Sequence, residues 1–156
     1  MNSKNNEPKP LHRGKEFHKK IQKEWLNTAT GEVTPEKSIT KPSGRKGRAD
    51  IFVRSDETLV AIAEIKASDW DSMGCSAAVR QNVKRQACQI WDYIESQLEL
   101  GKEVSPGIIF PRRPKDPNRM KLIEQLFDEE GIPVVWEDET IAERKARSQA
   151  SDCHIA

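Results

Sequence analysis

The stretch ADIFVRSDETLVAIAEIK, residues 49–66, decides the fold. Residues 49–54 read as a strand and Ser55-Asp56-Glu57 as a hairpin connection. Residues 59–66, the most apolar run in the chain, read as a central strand buried on both faces. Asp50 opens the first strand, and Glu64 and Lys66 close the second. Thirteen residues lie between Asp50 and Glu64, enough for a hairpin that brings the start of one strand beside the end of the next. The two carboxylates then meet at one end of the sheet. Glu64 and Lys66, two apart on a strand, share a face, while Ile65 points to the other face, into the core.

Upstream, residues 15–27 show helical spacing, with Phe17, Ile21 and Trp25 on one face. Thr30-Gly31 ends that helix. Residues 32–36 and 38–41 are short strand candidates beside Pro35 and Pro42, followed by a basic, glycine-containing turn over residues 43–47. Downstream, residues 69–74 read as a loop. A long helix over residues 76–100 carries Val79, Val83, Ala87, Ile90, Ile94 and Leu98, with Gly101 as its cap. Residues 107–110 form a short buried strand, 112–118 a basic loop, 119–129 a second amphipathic helix and 132–136 a last strand. The order predicts an α/β protein, a mixed β-sheet flanked by helices. Its expected divisions are a flexible arm (1–12), one domain (13–138) and a helical or disordered tail (139–156).

The chain has 156 residues, of which 33% are charged, and a net charge of +1. No apolar run approaches the roughly 20 residues that span a bilayer, so no membrane association is expected. Met1 to Pro10 lacks an apolar signal core, which leaves the cytoplasm as the expected location. Cys75, Cys88 and Cys153 have no zinc spacing and read as free thiols, Cys88 inside a helix core. His12, His18 and His154 are scattered, and a surface position is the plain reading of His18. Basic residues cluster at 41–48 and 112–121, as a solvated face or as a phosphate-binding patch.

Two carboxylates brought together raise each other's pKa, and a divalent cation relieves that cost. Mg²⁺ or Mn²⁺ takes oxygen ligands and keeps several waters. Asp50, Glu64 and the Ile65 carbonyl would supply oxygens, and Lys66 would orient a water or stabilise charge on a phosphorane-like transition state. The plainer reading of Glu64-Ile65-Lys66 is a solvated or salt-bridged strand end.

Gly47-Arg48-Ala49-Asp50-Ile51 and Ala63-Glu64-Ile65-Lys66-Ala67 resemble the D…(D/E)xK hairpin of the PD-(D/E)xK, restriction-endonuclease-like nuclease superfamily, with Ala49 in place of the proline. The resemblance covers residues 14–111. It implies an α-β-β-β-α-β core, here with an extra helix and strand, and a metal-dependent nuclease hydrolysing phosphodiester bonds of DNA or RNA, DNA being favoured. Glu16, on the opening helix, stands at the place of the family's auxiliary metal-binding and catalytic glutamate; an ion pair with Lys15, Lys19 or Lys20 also explains it. Gln89-Ile90-Trp91-Asp92-Tyr93 looks like the Q-x-x-x-Y element of exonuclease-like branches. That implies Gln89 positioning Lys66 or substrate and Tyr93 supporting it; the alternative is an exposed Gln89 and a core-edge Tyr93.

Arg45, Lys46 and Arg48, with Arg80 and Arg85 on the long helix and Tyr93, are the expected nucleic-acid contacts. Trp70 reads either as a base-stacking residue or as packing over the sheet. The opening helix and compact size are similar to toxin domains of bacterial competition systems. Such a protein would act in a target cell's cytoplasm and have an immunity partner; a homodimer is also compatible. The competing function is a non-catalytic nucleic-acid- or protein-binding module on a degenerate nuclease fold.

Overall fold

A computed structural model describes residues 9–28 and 31–152, with side chains described over 16–27 and 31–150. The elements run α1 (Lys9–Thr28), β1 (Glu32–Thr40), β2 (Lys46–Arg54), β3 (Leu59–Ile65), α2 (Ser76–Glu99), β4 (Glu103–Phe110), α3 (Pro117–Glu129), β5 (Val134–Trp136) and α4 (Ile141–Asp152). They build one five-stranded sheet in the order β1-β2-β3-β4-β5. Strands β1, β2 and β3 are antiparallel neighbours, and β3, β4 and β5 run parallel. The mixed α/β sheet flanked by helices is the expected one.

Alternation along the strands sends side chains to two layers. Ile51, Val53, Ala63, Ile65 and Ile109 pack with Ile21, Phe17 and Trp25 of α1. Ile108 and Phe110 face the other way, into a larger core with α2 and α3. There Trp70 and Trp136 flank Phe110 with ring centroids 5.2 Å away in each case. Burying side chains of this size contributes about 1.5–3 kcal/mol each, so this aromatic centre fixes α2 and α3 against the parallel half of the sheet.

Several expectations shift. Helix α1 begins at Lys9, so residues 9–12 are helical rather than part of an arm; Pro10 is tolerated in the first turn, where its missing N–H costs no bond. Residues 1–8 and 153–156, which carry the rest of the arm, His154 and Cys153, lie outside the described residues. Trp70, 2% exposed, is a core residue and has no face for a base. Cys88 is exposed on α2 rather than buried. The tail takes the helical form that was one of its two expected states, and α4 is tied down, since Arg147 bonds Glu124 (2.7 Å) and Glu139 (3.0 Å) and Arg144 donates to the Val134 carbonyl (2.7 Å). Among the described residues no helix is long and apolar enough to cross a membrane.

Candidate active site

The ladder between β2 and β3 runs from Arg54↔Val60 to Ile51↔Ala63 and stops there. The next facing residues in that register are Asp50 and Glu64, and there side chains replace the ladder. The Asp50 N–H donates to Glu64 Oε1 (3.2 Å), and the Ile65 N–H donates to Asp50 Oδ2 (2.8 Å). On its other side β3 stays fastened, the Lys66 N–H donating to the Ile109 carbonyl (3.0 Å). The two strands part, and the carboxylates fill the gap.

The sequence of β1 and β2 explains why the break falls at this point. Val33 and Ile51 pack on the α1 side of the sheet, whereas Ile39 and Ala49 pack on the α2 side. Strict alternation would keep Val33 with Ile39, and Ala49 with Ile51. The sides exchange at Glu36, whose φ of 50° is left-handed, and at Asp50, which faces it across a skipped ladder position. Left-handed backbone at a non-glycine residue costs on the order of 1–3 kcal/mol. Gln22 of α1 compensates by donating from Nε2 to the Asp50 carbonyl (3.0 Å). The exchange takes Asp50 out of the regular pleat and delivers its carboxylate to the end of β3.

Glu64 is 1% exposed. Burial first, then the negative charge and carboxyl hydrogen bond of Asp50, push its pKa up to about 9, against the opposing pull of the Asp50 N–H and Lys66. The Glu64 carboxyl therefore favours its protonated form beside Asp50.

Lys66 lies on the same face, and its Nζ donates to Gln89 Oε1 (2.9 Å). The Tyr93 hydroxyl is hydrogen-bonded to Gln89 and to the Arg48 backbone N–H, while burial raises its pKa overall. Gly47 makes that arrangement possible, because a Cβ there would stand 2.8 Å from Tyr93 Cε1 and Oη. The chain of support therefore runs from Gly47 through Tyr93 and Gln89 to the Lys66 ammonium. Gln86, nearly one turn before Gln89 in the same helix, donates to Ser68 Oγ (3.0 Å) beyond Lys66.

Helix α1 closes the site from the other layer. His18 Nδ1 lies 3.7 Å from Asp50 Oδ1, and Gln22 follows one turn later. Glu16 is exposed and, two residues from His18, lies about 200° around the helix from it. The α1 side chain that reaches Asp50 is His18. Sequence spacing held the signal, since His18 and Gln22 are four apart and flank the buried Ile21, but the rotation of α1 on the sheet was needed to read it.

Arg45, Lys46, Arg48, Arg80 and Arg85 are all exposed, and Arg85 also bonds Asn82 Oδ1 (2.6 Å). Tyr93 does not belong with them as a nucleic-acid contact. At 2% exposure, with its hydroxyl engaged, it supports the site from inside. Among the described residues no three His, Cys, Asp or Glu side chains converge as a metal-holding group; the arrangement is a carboxylate pair with one imidazole beside it. No protein-family model matches the chain, and no curated protein matches it.

Proposed function

We propose that this chain is a divalent-metal-dependent nuclease with a restriction-endonuclease-like fold, hydrolysing phosphodiester bonds of DNA in preference to RNA. The observation that carries the reading is the buried Glu64 carboxyl, held with Asp50 in a gap where two strands part, with a lysine on the same face. A buried carboxylate pair is costly, and its donors are the hard oxygens that Mg²⁺ or Mn²⁺ takes. Asp50, Glu64 and the Ile65 carbonyl would hold the ion, waters and phosphate oxygens completing its shell, with His18 at the edge of the set. Such an ion lowers the pKa of a bound water and polarises the phosphate.

The side chains divide the remaining work. Asp50 and Glu64 would hold the ion at the strand ends, and the ion would draw the phosphate there. Lys66, held by Gln89, places a fixed positive charge where negative charge develops on the phosphorane-like transition state. Preorganisation by Gln89 and Tyr93 matters because an ammonium on a four-carbon stem would otherwise swing through several rotamers. Arg45, Lys46 and Arg48 lead into Asp50 and give the strand a positive approach.

The test is cleavage of supercoiled plasmid, linear DNA and total RNA with Mg²⁺, Mn²⁺ or EDTA. Cleavage that needs the metal and disappears in Asp50→Ala supports the reading. Binding without metal-dependent cleavage of any of the three would replace it with a non-catalytic module.

A further inference from the structure

On the α2 side of the sheet, beyond Tyr93, β1 and β2 and the C-terminal turns of α2 enclose a groove of about 750 Å³. Its walls carry Lys37, Lys41, Arg54 and Lys102 against the single carboxylate of Glu99. This imbalance is local, because the whole chain has a net charge of only +1. Ile39, Phe52 and Val60 make an almost fully buried apolar floor, and the cations stand around it. Lys37 sits over the Phe52 ring, with Nζ 5.8 Å from its centroid. Lys102 donates to the Glu57 carbonyl, which holds it at the rim.

Lys41 joins this groove to the carboxylate site. It lines the groove, and its Nζ lies 5.5 Å from the Tyr93 ring centroid and 4.0 Å from Asp92 Oδ2. Tyr93 in turn feels the charges of Glu64 and Asp50. Pro42 and Gly44, in the turn between β1 and β2, also line the groove, and Arg45 beside them is exposed.

We infer that this groove is a binding track for one polynucleotide strand, engaging its phosphates on the flank of the carboxylate site. The proposal rests on the nuclease reading for its direction but not for its binding. Its occupant is a polyanion because Lys37, Lys41, Arg54 and Lys102 line the groove and outnumber the acids beside them, Glu99 and the Asp92 that pairs with Lys41. One strand is the occupant whose few linked nucleotides a groove of about 750 Å³ admits, and the duplex is the competing occupant in the test. Phosphate contacts position a strand without reading its sequence, so binding should tolerate any sequence and fall steeply with salt.

The experiment is fluorescence anisotropy in EDTA, which separates binding from cleavage, using labelled 20-nucleotide oligothymidylate, oligouridylate and a 20-base-pair duplex across a salt series. Lys37→Glu with Arg54→Glu should weaken both single strands by tenfold or more. It should also flatten the slope of log K against log salt by about 1.4, two phosphate contacts at roughly 0.7 each. A control with the same change in charge, Lys23→Glu with Lys145→Glu at exposed positions on α1 and α4, should bind like the parent protein. Equal loss of thymidylate and uridylate assigns the track to phosphate alone; loss of only one assigns it to DNA or to RNA. Unchanged affinity and slope in the groove variant, or equal loss in the control, overturns the proposal. A chain that binds through the groove yet cleaves nothing with metal refutes the nuclease reading and leaves the track standing.

Discussion

Replacing Glu64 with Gln should make the protein more stable at neutral pH while removing metal-dependent chemistry. In the folded chain the Glu64 carboxyl titrates at about 9 instead of 4.5, because it is buried beside Asp50. A group whose folded pKa is raised contributes stability fully below its unfolded pKa and loses it as pH climbs toward the folded one. For Glu64 that window runs from about 4.5 to about 9. At pH 7.5, three units into it, the accumulated loss is on the order of 4 kcal/mol at about 1.4 kcal/mol per unit. A glutamine keeps the shape, accepts from the Asp50 N–H through its carbonyl oxygen, donates to the Asp50 carboxylate through its amide, and does not ionise. Glu64→Gln should therefore match the parent protein near pH 5 and exceed it at pH 7.5, with a melting temperature higher by roughly 8 °C or more. Adding 10 mM Mg²⁺ at pH 7.5 should stabilise the parent protein and not the variant. Thermal unfolding followed by circular dichroism from pH 5 to 8.5, with and without Mg²⁺, measures both effects. Parallel stability curves for the two proteins would show that Glu64 ionises without penalty and would refute the argument.

Other perturbations act at points along the support of the site. Gly47→Ala should destabilise the fold by about 1–3 kcal/mol, because its Cβ would meet the Tyr93 ring at 2.8 Å; urea unfolding measures this, and an unchanged midpoint would contradict it. Gln89→Ala should lower kcat by about tenfold with little change in KM, since it frees the Lys66 ammonium from a 2.9 Å bond without touching the metal ligands. His18→Ala should reduce activity more with Mn²⁺ than with Mg²⁺, as imidazole favours the softer ion; equal losses would make His18 a structural neighbour of Asp50 only.

The hairpin was legible in the sequence because a two-residue period and an apolar run mark strands strongly, and the spacing from Asp50 to Glu64 is what an antiparallel return requires. The placement of Gln89 against Lys66 was expected only from the Q-x-x-x-Y resemblance, because helical spacing alone left Gln89 equally readable as solvent-exposed. What escaped depended on how elements rotate and bend. Whether Glu16 or His18 faces the sheet is set by the seating of Phe17 and Ile21, and residues two apart on a helix look equally available in sequence. The left-handed Glu36 and the exchange of faces at Asp50 break the alternation on which strand reading relies. Tyr93 carries a polar tip on a large ring, and only the close approach permitted by Gly47 decides that it is buried.

The claim on which the rest depends is that Asp50 and Glu64 hold one hard cation between them. A crystal soaked in Mn²⁺ and measured at a wavelength where manganese scatters anomalously tests it directly. The account expects a single strong peak between the two carboxylates, near the Ile65 carbonyl, that is absent from Glu64→Gln crystals. A map with no peak there, or with manganese bound only elsewhere on the surface, would contradict it.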